Sequence, residues 1–129
     1  MDLPTDRKYT NEHEWAKIAG DLATVGITDY AQSALGDIVY VEMPKPGVVV
    51  AQFKKMGVIE SVKAVSDIYA PLSGTIAEVN GDVENDPAKV NNDPYGGGWL
   101  VKIKLADSGE EKNLHDAPSY QQIVDAAAH

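Results

Sequence analysis

Apolar residues fall in short runs separated by Gly, Pro, Asn and Asp, a spacing that predicts strands over most of the chain. LATVGI (22–27) follows the turn signal Gly20-Asp21 and reads as a strand. Thr28 then caps a short helix, TDYAQSAL, that stops at Gly36, the residue type suited to a left-handed cap. DIVYVEM (37–43) reads as a strand broken by Pro44-Lys45-Pro46-Gly47. VVV (48–50), MGVIES (56–61), SDIYAP (66–71) and GTIAEVN (74–80) are further strands, with Pro71 and Gly74 as punctuation. In WLVKIKL (99–105), Trp99, Val101, Ile103 and Leu105 alternate with Leu100, Lys102 and Lys104, the period-two pattern of a half-buried antiparallel strand. The stretch 81–98 carries too many Gly, Pro and Asn residues for regular structure, apart from a helical turn after Pro87. SGEEKNLHD and APSYQQIVDAAA turn helical, with Pro118 in a first turn. The pattern predicts a mainly β fold, a small β sandwich/barrel hybrid with a short internal helix and a C-terminal helix, as a single domain over 1–129.

Composition narrows the function. The chain has 129 residues, 43% hydrophobic and 24% charged, which suits one soluble domain with a core of its own. No apolar run is long enough to span a bilayer. The N-terminal MDLPTDRKYTNEHEW lacks the apolar block of a secretory signal and the Arg-rich character of a transit peptide. The expectation is a bacterial cytoplasmic protein, favoured by the start at Met1, or the mitochondrial matrix for a processed eukaryotic form. Eleven Lys and Arg against 20 Asp and Glu leave a net charge of −9, and Arg7 is the single arginine. That balance argues against nucleic-acid binding and for protein partners with basic surfaces. The absence of cysteine excludes disulfides, thiolate metal sites and a Cys nucleophile. His13, His115 and His129 show no ligand spacing, so no metal site is expected. Trp15 and Trp99 read as core residues. Tyr95-Gly96-Gly97-Gly98 precedes a strand rather than a helix and reads as a packing loop, not an anion site.

One lysine stands apart. Between Lys55 and Lys89 the only basic residue is Lys63, flanked by Val62 and Ala64, with Glu60 and Asp67 close by. It falls between two strand-like runs, so VKAV is expected to form an exposed hairpin tip. A solvated surface lysine is the default for any single Lys. A catalytic amine requires burial or neighbouring cations, whereas here the sequence neighbours are carboxylates. Phosphate binding requires a Gly-rich cradle, which is missing. Covalent attachment of a carrier group requires exposure, a presenting turn and no competing lysine alongside, and Lys63 meets these conditions.

The motif ESVKAVSDIYAPLSG (60–74) resembles the lipoyl-attachment segment of the glycine cleavage system H-protein family. YTNEHEW (9–15), VGITDYAQSALGDIVYVEMPKPG (25–47) and VNNDPYGGGWLVKIK (90–104) are similar to that family's blocks in order and spacing, and LHDAPSY (114–120) matches more loosely. Two departures appear. Gln52-Phe53-Lys54-Lys55 stands where family members usually carry glycine and acidic residues, and Glu12 replaces a small polar residue.

The resemblance implies a lipoyl/biotinyl-carrier-like fold and a carrier rather than an enzyme. It implies lipoate covalently held on Lys63 as a swinging arm. The partners it implies are a pyridoxal-phosphate glycine decarboxylase, a tetrahydrofolate-dependent aminomethyltransferase, an FAD-dependent dihydrolipoyl dehydrogenase, and a lipoate ligase or lipoyl/octanoyl transferase. Glu60, Asp67 and Glu14 are the candidates for ligase recognition or for a cleft that holds the loaded, cationic arm. The ordinary alternatives are a solvated strand residue for Glu14 and a turn-forming side chain for Asp67. A monomer is expected. Lipoate relay to other complexes is the alternative role. Flanking residues Val62 and Ala64, in place of methionines, disfavour biotin. A stand-alone enzyme using Lys63 with Glu60 or Asp67, and an unmodified β interaction module, are the readings from other classes.

Overall fold

The computed structural model describes residues 3–127, so His129 lies outside the described residues. Among the described residues, nine strands form two antiparallel sheets. The first has the order β1-β2-β3-β9-β8-β5, from β1 (Lys8–Tyr9), β2 (Glu14–Ala19), β3 (Leu22–Ile27), β9 (Val101–Leu105), β8 (Gly74–Val79) and β5 (Val49–Val50). The second has the order β4-β6-β7, from β4 (Ile38–Glu42), β6 (Lys55–Ser61) and β7 (Val65–Tyr69). Val25, Ile76, Val101 and Ile103 from the first sheet share one apolar core with Val41, Ile59 and Ile68 from the second. Burial of those two inner faces against each other is what makes the fold a mainly β sandwich.

Helix α1 (Asp29–Leu35) links the sheets between β3 and β4. Thr28 caps it as expected, its hydroxyl accepting from Ala31 N–H at 3.2 Å, and Gly36 ends it at φ 82°, ψ −157°. The C-terminal helix α4 (Ala117–Ala127) lays Tyr120 on Tyr9, with ring centroids 4.8 Å apart. Tyr120, Tyr9 and Trp15 form a second, aromatic core with Ala117 and Val124.

The structure corrects several expectations. Residues 81–98 hold two short helices: α3 (Ala88–Asn92) is the helical turn expected after Pro87, whereas α2 (Gly81–Asn85) stands where irregular backbone was expected. Tertiary contacts override the weak local propensity there. Val83 and Val90 are driven into the core, and Asn80 caps α2 while donating to the Gly97 and Trp99 carbonyls. Asn80 is therefore a cap and not the end of β8. SGEEKNLHD supplies only a 3-10 turn over Ser108–Asn113. Trp99 precedes β9 and is half-buried, with the Lys102 ammonium 5.0 Å from its ring; the adjacent Leu100 is the enclosed residue.

Candidate functional site

The lysine sits at the tip of the β6–β7 hairpin, and its exposed side chain is presented by a tightly held turn. Ser61 does most of the holding. Its hydroxyl accepts from Lys63 N–H (3.3 Å) and Ala64 N–H (3.1 Å), while its own N–H donates to the Ala64 carbonyl (2.8 Å). Val62 N–H reaches across to the Asp37 carbonyl at 3.0 Å. That tie fixes the tip to the segment joining α1 and β4.

The same segment is anchored by Asn91 on α3. Its side-chain amide donates to the Gly36 carbonyl and Gln32 Oε1, and its Oδ1 accepts from Ile38 N–H, each at 2.9 Å. The Lys63 side chain lies across Gly36: a Cβ built there would stand 3.4 Å from Lys63 Cε. Gly36 thus meets two demands at once, a backbone conformation that is essentially glycine-only and room for the aliphatic stem of the lysine.

From the tip a groove of about 360 Å³ runs between α1 and the free edge of β7. Ala31, Ala34, Leu35 and Val65 give it apolar walls, and Glu12, His13, Asp67 and Tyr69 give it polar ones. Asp67 lies on its rim with a carboxylate oxygen 3.4 Å from Lys55 Nζ. Glu60 does not line it. It lies on the outer face of the three-stranded sheet, in register with Tyr40 and Val65.

Glu14 is placed differently from both. It is 1% exposed, so it is not a solvated strand residue. Its carboxyl accepts from the Thr10 hydroxyl at 2.5 Å and from Tyr69 N–H at 3.1 Å, stitching β2 to the edge of β7 beneath the groove. Burial raises its pKa to about 7, against the opposing pull of the Thr10 and Tyr69 hydrogen bonds. The structure therefore brings Asp67 to the groove, puts Glu14 under it and sets Glu60 apart.

The two histidines among the described residues serve packing. His13 Nδ1 meets the Tyr120 hydroxyl at 2.7 Å, which in turn meets the Thr28 hydroxyl at 2.8 Å. Burial lowers the His13 pKa. His115 is held between Asn11 and Ser119. Two non-glycine residues among those described adopt positive φ, His13 (72°) and Phe53 (65°). Phe53 thus keeps the left-handed turn that a glycine would hold without strain. Sequence reading missed Ser61, Gly36 and Asn91 as the supports of the tip, since their role depends on contacts between distant segments. Only Gly36, at a helix end, carried a local signal.

Comparison with known proteins agrees with this geometry. Residues 7–127 match the family described as Glycine cleavage H-protein. The glycine cleavage system H protein of one Thermus thermophilus strain is 53% identical over 128 residues, covering 99% of this chain and 100% of the relative. That of Rubrobacter xylanophilus is 56% identical over 124 residues, covering 96% of each. The crystal structure of a glycine cleavage system H protein from Mycobacterium marinum superposes with a TM-score of 0.87 at 44% identity, covering 93% of this chain and 97% of that one. The chain belongs to the glycine cleavage H-protein family, the lipoyl carriers of the glycine cleavage system.

Proposed function

We propose that Lys63 Nζ is the point at which lipoate is covalently attached, and that the chain is itself non-catalytic. The observation that carries this reading is the presentation of the amine: one exposed lysine at a hairpin tip whose backbone is pinned by Ser61 and Asp37. Attachment forms an amide between Nζ and the lipoyl carboxyl, activated with ATP by the ligase. One proton leaves the ammonium to free the nitrogen lone pair, which makes the new bond; the activating group leaves with its electron pair, a second proton passes to solvent, and the amide keeps the third. Gly36, lacking a Cβ, leaves room for the stem of Lys63 beside the tip.

Lipoate supplies a dithiolane that takes up the aminomethyl fragment of glycine and cycles between disulfide and dithiol. The chain's own residues supply the binding. Ala31, Ala34, Leu35 and Val65 offer an apolar wall to the hydrocarbon of the arm, and Glu12 and Asp67 set carboxylates on the groove where a cationic cargo is held. Glu14 acts through Tyr69, fixing the edge of β7 that forms one side of the groove. A groove of this kind keeps water from a labile cargo.

The enzymes served are glycine decarboxylase, aminomethyltransferase and dihydrolipoyl dehydrogenase, in the cytoplasm. The chain acts as a monomer whose net charge of −9 favours partners with basic faces. Intact-mass measurement after incubation with a lipoate ligase, lipoate and ATP tests the reading. Wild type should gain one lipoyl group and Lys63→Arg none. An unmodified wild type, or equal modification of the variant, sinks it.

A further inference from the structure

Seven large apolar side chains are prominently exposed among the described residues, and four of them, Val39, Tyr40, Val62 and Val65, cluster at the lysine end of the three-stranded sheet. The cluster has a structural cause. Ile38 pairs with Ser61 and Tyr40 with Glu60, so Val39 is an extra residue in β4 and forms a bulge. In regular alternation Val39 and Tyr40 would face opposite sides of the sheet. The bulge turns both outward, with Val39 53% and Tyr40 44% exposed, between the buried Ile38 and Val41. Tyr40, Glu60 and Val65 then form one cross-strand row, and Val62 stands 70% exposed beside Lys63 itself. Carboxylates border the patch: Glu60 lies in the row, and Glu42 accepts from the Tyr40 hydroxyl at 2.8 Å.

A contiguous exposed apolar patch with a polar border marks an interaction surface. Its position identifies which partner. An enzyme that acylates Nζ must bring its own active site within bonding distance of Lys63, and so covers the residues around the tip. Enzymes that act on the far end of a long flexible arm have no such requirement. The acidic border calls for a basic border on the partner. We infer that the bulge-built patch of Val39, Tyr40 and Val62 is the docking surface for the enzyme that attaches lipoate, and that it is dispensable for the enzymes that use the arm. The inference rests on Lys63 being the attachment point.

The experiment compares two steps in the full chain. Val39→Thr/Val62→Thr keeps shape and strand preference while making both positions polar. With lipoate ligase, lipoate and ATP, its KM as acceptor should rise by about tenfold, with kcat and thermal midpoint unchanged. Val49→Thr, at the 76% exposed position in β5 of the other sheet, should match wild type. Once driven to full lipoylation by prolonged incubation, the double variant should be reduced by dihydrolipoyl dehydrogenase and NADH at the wild-type rate. A wild-type KM for lipoylation overturns the inference. So does an equal loss in the dehydrogenase assay, which would assign the patch to partners in general. Light scattering that shows a wild-type dimer dissolved by the double substitution overturns it in favour of a second copy. A wild type that takes up no lipoate at all defeats the attachment reading instead.

Discussion

The two ends of the sandwich use similar side chains in opposite ways. At the β1–β2 end the large aromatics are enclosed and every polar atom they carry is used. Trp15 is 1% exposed, and its indole N–H is shared between the Ile27 and Pro94 carbonyls at 3.0 Å each. Arg7, the chain's single arginine, lies 4.6 Å from the centre of that ring and donates to the Tyr95 carbonyl. At the lysine end, by contrast, valines and a tyrosine face solvent around one cation. The first arrangement holds the fold together; the second leaves apolar surface for other molecules. Stability should therefore be concentrated at one end and recognition at the other.

The strongest way to break that contrast is at Trp15. Trp15→Ala should lower unfolding free energy by about 3–5 kcal/mol, because a large cavity opens and two buried carbonyls lose their donor. Val62→Thr at the tip should change it by less than about 0.5 kcal/mol. Urea denaturation of both decides it, and comparable losses would collapse the division.

Glu14 joins the two ends, and its titration tests the joint. Below its ordinary value of 4.5 the carboxyl is protonated whether the chain is folded or not. Between there and about 7 the unfolded chain releases a proton that the native state keeps, so stability falls as pH rises, then levels off. The full fall is about 3 kcal/mol, and Glu14→Gln should remove it. His13, with its lowered pKa, works with the opposite sign, its contribution being lost as pH falls through 6.5. Unfolding curves of variant and wild type across this range isolate the Glu14 part. Parallel pH profiles would deny it that role.

A smaller effect is expected at Gly36. Gly36→Ala should cost about 1–3 kcal/mol, since the backbone there suits glycine alone, and should also slow lipoylation by crowding the lysine stem. Gly20→Ala, also at positive φ (65°) but with nothing within 4 Å, should cost stability and leave lipoylation untouched. Equal lipoylation rates for the two variants would remove Gly36 from the recognition end. Smallest of all, Asp67→Asn breaks an exposed pair with Lys55 and should alter stability by under about 1 kcal/mol. A larger loss in denaturation would place Asp67 among the residues that hold the fold.

Much of this was legible in the chain, and the gaps have physical causes. β3, β9 and α1 announce themselves through alternation or capping, and the hairpin tip follows from two strands flanking VKAV. β2 does not, because Glu14, Trp15 and Ala16 are buried in succession, which erases the period of two and hides a carboxyl in the interior. The turn of α3 is announced by Pro87, but α2 escapes notice because its cap, Asn80, is held by reaching the Gly97 and Trp99 carbonyls, a contact outside the local pattern. The groove and the patch escape for a related reason. Local pattern places Asp67 and Glu60 near Lys63, and the register sets both on the outer face of the sheet, but only the strand order puts Asp67 on edge strand β7 beside the groove and Glu60 on central strand β6 away from it.

Helix α1 ends under Lys63 with no basic residue in its own last turn. Its terminal carbonyls carry partial negative charge, and Lys63 brings a cation close to that end, its Nζ 3.9 Å from where a Cβ on Gly36 would stand. The amide proposed at Nζ would make the chain one unit more negative and take that positive charge away from the helix end in the same step.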